Sequence, residues 1–245
     1  SRADEDAGKV FVLNTTANET EIFGTGLIHI DSITHGYPVY NITSNHDGSV
    51  LYFYHTFNSW NTGFYVYVYD YATNSKTVFN INQDGIGSND FSAPIGDIVY
   101  NPFKNQFLVS ENGEFSGRPA CIHIYDASNH SCLGTIALND ASENAMYAKE
   151  MFISPEQKLY VMANMHLAET LDPDPKIFVF NANDGQENIY TLERTASFVE
   201  CSFNNPDQSF EYYSGHFCYN HYDGKVYATI HPTEVTFNPY HSVTN

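Results

Sequence analysis

One short phrase recurs along this chain at almost constant spacing, and it limits the fold more than any other feature. Apolar β-branched and aromatic residues alternate and close on Asp or Asn. The copies are Val10-Phe11-Val12-Leu13-Asn14, Val66-Tyr67-Val68-Tyr69-Asp70, Ile122-His123-Ile124-Tyr125-Asp126 and Ile177-Phe178-Val179-Phe180-Asn181, with a degenerate fifth at Glu234-Val235-Thr236-Phe237-Asn238. Their closing residues are 56, 56, 55 and 57 positions apart. A repeat this regular means one supersecondary unit stacked on its neighbours, each covering an apolar face that the next cannot bury alone.

Inside the period the segments keep one order. A first run (Ile95 to Tyr100, Glu150 to Ile153, Tyr213 to Tyr219, less clearly Tyr37 to Ile42) leads into a turn rich in Asn, Asp, Pro and Gly, the residues that supply turn dihedrals. A second run follows (Val50 to Tyr54, Gln106 to Val109, Lys158 to Met162, Lys225 to Thr229), then a looser segment, the recurring phrase, a tight turn and a fourth run. Alternation is period two and no helical pattern occurs, so the sequence predicts an all-β chain with four antiparallel strands, A to D, per repeat. That is the blade of a β-propeller. A β-sandwich would accommodate the strands but not the constant step.

The expected units are a C–D half-blade at 9–27, blades at 37–81, 95–138 and 147–192, and an A–B half-blade at 211–238 with an extra strand in prospect. This makes roughly four blade-equivalents. The two halves are complementary: they would close one ring, belong to a larger ring, or pair between molecules and cover exposed edges. Tight turns fall at A–B and C–D, and long loops at B–C and D–A, so one face is trimmed and the other decorated.

The phrases Asp47-Gly48-Ser49-Val50-Leu51-Tyr52 with Val66 to Asp70 and Thr73, Lys158-Leu159-Tyr160-Val161 with Ile177 to Asn181, and Asp223-Gly224-Lys225-Val226-Tyr227 resemble the blade signature of surface propellers of the YVTN and lactonase-like type. The resemblance covers most of the chain and implies the propeller fold. Its motif is shared by proteins of many functions, so it implies no chemistry.

Composition narrows the partners. Ten basic residues stand against 29 acidic ones, a net charge of -19, so phosphate backbones and anionic membrane surfaces would be repelled. No apolar run approaches the ~20 residues that span a bilayer. Such acidity suits an extracellular or cell-surface protein kept soluble by charge. The first residue is Ser1, so a mature or trimmed product is expected. Four sequons, Asn14, Asn18, Asn41 and Asn129, fall at tight turns, which predicts a glycosylated face opposite a free one.

Candidate chemistry is sparse. The second runs end on polar residues, His55, Glu111, Asn164 with His166, and His231, which could ring one mouth as metal ligands or as acid and base. Asn80, Asn82, Asp84, Ser88 and Asp90 echo the oxygen spacing of a calcium loop, although Phe91 stands where the bidentate Glu belongs. No cofactor is established by these residues; calcium is the one they suggest. Cys121 and Cys132 flank a predicted hairpin and Cys201 and Cys218 flank the start of another strand, so disulfides and free buried thiols both fit. No phosphate loop, nucleophile elbow, paired C-x-x-C or basic stripe occurs. The expected function is a non-catalytic binding, adhesion or assembly propeller, with a protein or carbohydrate partner on the long-loop face or self-assembly through half-blades. The alternative is a lactonase- or lyase-like enzyme using the His and Glu ring.

Overall fold

A computed structural model describes residues 9–13, 29–34, 41–55, 65–70, 73–80, 95–113, 119–139, 145–165, 174–183, 190–197 and 210–234. The chain forms two compact units, one of Ser1–Thr43 with Val50–Ser92, the other of Ser44–Ser49 with Ala93–Asn245. The fold is all-β, a succession of four-stranded antiparallel β-propeller blades. No helix among the described residues is long and apolar enough to cross a membrane.

In the first unit, β1 (Lys9–Leu13) pairs with β2 (His29–Thr34), and β3 (Asn41–Ser44), β4 (Val50–His55), β5 (Tyr65–Asp70) and β6 (Ser75–Asn80) form one sheet in chain order. The second strand of the first half-blade therefore lies beyond residue 27, where the sequence had closed it. Phe53 and Tyr67 stack at 5.5 Å, and Lys76 lies over the Tyr67 ring at 5.6 Å. Tyr67 is buried in this packing within the sheet.

In the second unit, β7 (Ile95–Asn101), β8 (Gln106–Glu111), β9 (Cys121–Asp126) and β10 (Cys132–Ala137) form one sheet. A second comprises β11 (Ala145–Ile153), β12 (Lys158–Met165), β13 (Asp174–Asn181) and β14 (Thr191–Ser197), and β15 (Phe210–Asn220) pairs with β16 (Lys225–Glu234). Strand β11 begins two residues before 147. Strand β14 runs to residue 197 rather than stopping at 192. Glu193 and Arg194 are exposed on this outer strand, so no apolar alternation marks it in the sequence. Residues 235–238, the proposed extra strand, lie outside the described residues.

Period-two alternation explains how the blades stack. Phe178 and Phe180, at the even places of one phrase, share a buried cluster with Ile122 and Ile124, at the odd places of the phrase before it. Within the second unit the sheet β11–β14 thus offers an aromatic face to the aliphatic face of the sheet β7–β10, and full burial of each such side chain contributes about 1.5–3 kcal/mol. Strand β8 is buried along its whole length, and β10 at the sheet edge is half-buried.

The tight turns share one end of each sheet, as expected. Ala127 N–H donates to the Asn105 carbonyl and Ala182 N–H to the Gln157 carbonyl, joining the C–D turn to the A–B turn in two blades. Asn105 and Gln157 sit at φ 50° and 59°, and Gly224 at φ 66°, each just before its second strand. That left-handed step costs Gly nothing and Asn little.

The first strands are stitched by carboxylates. Asp97, Glu150 and His216 hold one register position, opposite Ser110, Met162 and Thr229. Asp97 is buried and accepts from Met151 N–H at 2.5 Å and Ile98 N–H at 2.7 Å. Glu150 repeats the contact one blade on, accepting from Phe217 N–H, with its Oε1 3.5 Å from His216 Nδ1. Burial raises the Glu150 carboxyl above its ordinary 4.5, against the pull of His216 and the Phe217 N–H. Above pH 4.5 the folded chain holds this proton when the unfolded chain has lost it, so this contribution to stability is full below 4.5 and is lost as pH rises through the raised value. Glu150→Gln, which keeps an acceptor for Phe217, should therefore be more stable than the parent at neutral pH. Urea midpoints of the two proteins should converge as the pH falls below the carboxylate range.

Candidate functional site

The site with the densest chemistry lies in the sheet β7–β10, at the end where the B–C connection departs. Glu111 is the last residue of β8 and Cys121 the first of β9, and the two are direct partners in the register. His123 follows two residues later on the same face, opposite Val109. All three side chains are buried, with exposures of 3%, 5% and 2% respectively.

Their polar atoms converge. His123 Nε2 lies 2.6 Å from Glu111 Oε2, the distance of a strong hydrogen bond donated by the imidazole N–H to the carboxylate. Cys121 Sγ is 3.6 Å from Glu111 Oε2 and 3.6 Å from His123 Nε2. Among the described residues this is the one group of His, Cys and carboxylate side chains close enough to share a metal ion. The Nδ1 of His123 and the Oγ1 of Thr135 are both buried without a hydrogen-bond partner, and Thr135 is the residue opposite His123 on β10.

The arrangement does not have the geometry of a thiol protease-like triad. Such a triad uses one imidazole nitrogen toward the nucleophile and the other toward the orienting carboxylate. Here Nε2 faces both the thiol and Glu111. What three donors around one point can do is ligate a cation, with one sulfur, one nitrogen and one oxygen.

The residues expected to ring a mouth occupy different register positions. His55 and Glu111 are equivalent, each opposite the first residue of the following C strand. The matching places in the later blades are Ala163, opposite Lys176, and Ile230, opposite Gly215. Asn164, opposite Pro175, and His231, opposite Ser214, each fall one register position further along their strands. His166 lies outside the described residues. Sequence reading selected Glu111 but missed His123 and Cys121. The signal was present: the second place of the phrase is Phe11, Tyr67 and Phe178 in the other copies, and His only in this one.

The Cys121–Cys132 disulfide is corrected by the register. Cys121 pairs with Ala137 and Cys132 with Tyr125, so the two thiols sit at opposite ends of the hairpin, roughly 15 Å apart at ~3.4 Å per residue. A disulfide requires Cα atoms within about 7 Å. Among the described residues no disulfide joins Cys121, Cys132 or Cys218, and Cys201 lies outside them. Of the calcium-loop set, Asn82, Asp84, Ser88 and Asp90 lie outside the described residues, and Asn80 ends β6. Asn14 and Asn18 also lie outside them. Asn129 is exposed in the β9–β10 turn and accepts from Ser131 N–H at 2.8 Å, and Asn41 opens β3 and accepts from Ile42 N–H at 2.7 Å.

Fold and geometry together define the class: a β-propeller with an internal His, Cys and Glu cluster in one blade. The fold is similar to that of Kuenenia stuttgartiensis hydrazine synthase, with TM-score 0.55 and 11% identity over 90% of this chain and 58% of that one. Fainter likenesses are to a hypothetical selenium-binding protein from Sulfolobus tokodaii (TM-score 0.44, 14% identity, 78% of this chain and 42% of that one) and to the β-propeller domain of the Trilobed protease from Pyrococcus furiosus (TM-score 0.41, 11% identity, 85% and 68%). No protein-family model matches the chain, and no curated protein matches it in sequence.

Proposed function

We propose that the chain is a non-catalytic extracellular β-propeller that binds or assembles through strand addition at its two-stranded sheets. The observation that carries this reading is the pair of two-stranded sheets. Among the described residues β1–β2 and β15–β16 have two strands each, whereas the three sheets between them have four. Strand β16 presents an edge of alternating exposed residues, Lys225, Tyr227 and Thr229. A two-stranded ribbon is marginal alone, and an open edge is a template for a further strand. A second copy of the chain supplies the complementary half-blade, which makes self-assembly the favoured form of this binding.

Charge and sequons support the extracellular part of the reading. The net charge of -19 opposes contact between copies, so association should strengthen as salt screens it. Sedimentation of the full chain over a dilution series, at low and high salt, should show species larger than the monomer that grow with concentration and with salt. A monomer under every condition would refute assembly. Intact mass of the protein secreted from a glycosylating host should exceed that of the bare polypeptide through Asn41 and Asn129.

A further inference from the structure

We propose that Glu111, Cys121 and His123 form a binding site for a single zinc ion, with Thr135 orienting the imidazole. In tetrahedral zinc sites, Zn–S near 2.3 Å and Zn–N or Zn–O near 2.0–2.1 Å place sulfur roughly 3.6 Å from the nitrogen and oxygen ligands. Cys121 Sγ already stands 3.6 Å from both partner atoms. The 2.6 Å contact between Glu111 and His123 must open by about 0.8 Å to admit the ion, which takes the place of the Nε2 proton.

Charge favours the occupied state. A thiolate and a carboxylate neutralise a divalent ion, and a neutral imidazole completes three ligands, so the loaded site buries no net charge. Binding releases the Cys121 thiol proton, and the His123 proton moves from Nε2 to Nδ1. Nδ1–H then needs an acceptor. Thr135 Oγ1, unpartnered and on the residue facing His123, is placed to be one, as zinc-bound imidazoles require of their outer nitrogen. The two orphaned polar atoms thereby find the same explanation. The fourth position is left to water or to a ligand donor.

The test is titration of the full chain, purified in chelator, with Co²⁺ and then Zn²⁺. Cobalt at this site should give one equivalent of a thiolate-to-cobalt absorption band, which zinc then displaces, with about one proton released per ion and affinity falling as pH is lowered. Cys121→Ser should abolish the band, leaving only weak histidine-type binding. Thr135→Val should weaken zinc by roughly 10-fold or more while keeping the band. A variant with Cys132, Cys201 and Cys218 all changed to Ser leaves Cys121 as the single thiol, and it should retain the full band. Absence of a thiolate band in the parent, its persistence in Cys121→Ser, or its loss in the single-thiol variant would each overturn the site.

Discussion

Gly96→Ala is expected to destabilise the protein by about 3 kcal/mol or more, the range of severe overpacking. A Cβ at this position would stand 1.6 Å from the Ala148 carbonyl oxygen and 2.8 Å from its carbon, with Ser110 Oγ also at 2.8 Å. The obstacle is backbone, so no side-chain rotation relieves it, and β7 must move away from β11. That movement would also strain the bonds fastening β11 to the neighbouring sheet: Met151 N–H to Asp97 on β7, Ser110 Oγ on β8 to the Ala148 carbonyl at 3.0 Å, and Ala148 N–H to Asn112, just after β8, at 3.1 Å. For a domain of this size the loss corresponds to a fall in melting temperature of roughly 6–12 °C. Gly134→Ala supplies the control within the same sheet. Nothing lies within 4 Å of a Cβ there, so that variant should be unchanged or gain about 0.5 kcal/mol from reduced chain entropy. Equal effects of the two substitutions on the melting temperature would show that close approach at Gly96 is not what the site demands.

His123→Ala, measured in chelator by urea unfolding, should cost about 3–5 kcal/mol, because it removes the 2.6 Å partner of the buried Glu111 carboxylate and the packing of a buried ring. The double replacement Glu111→Leu with His123→Phe removes both polar groups and restores an aromatic at the place where Phe178 and Tyr67 stand in other blades. It should lie within about 1 kcal/mol of the parent, since exchanging a buried pair for apolar residues is commonly near neutral. If the double variant were as unstable as the single one, the cost would belong to packing around the ring and not to the lost pairing. The contrast bears on why the pair exists: a blade that gains little stability from it has kept polar groups that an apolar pair would replace, which is what a ligand site requires.

Legibility of the fold in the sequence followed burial. Strands β5, β9 and β13 are the recurring phrase itself, found because alternate residues must fill two different neighbouring surfaces. Strand β14 was misplaced because Thr191 to Arg194 are exposed, and an edge strand under no packing demand carries no pattern. Turn chemistry was legible too, since Asn105 and Gly224 occupy left-handed positions that few residues accept. The polar stitching through Asp97 and Glu150 was not, because each carboxylate finds its partner in the next blade, 54 residues away for Asp97 and Met151.

The 56-residue step by itself determined that this chain is built of repeated β-propeller blades, because only a repeated supersecondary unit keeps such a period. It also determined which residues pack, through alternation. Tertiary structure alone decided which polar residues meet. Register placed Glu111 opposite Cys121 and one step from His123, and separated Cys121 from Cys132. The reason is geometric: one residue of register reverses the face of every side chain, so proximity across strands is fixed by pairing that sequence spacing does not specify.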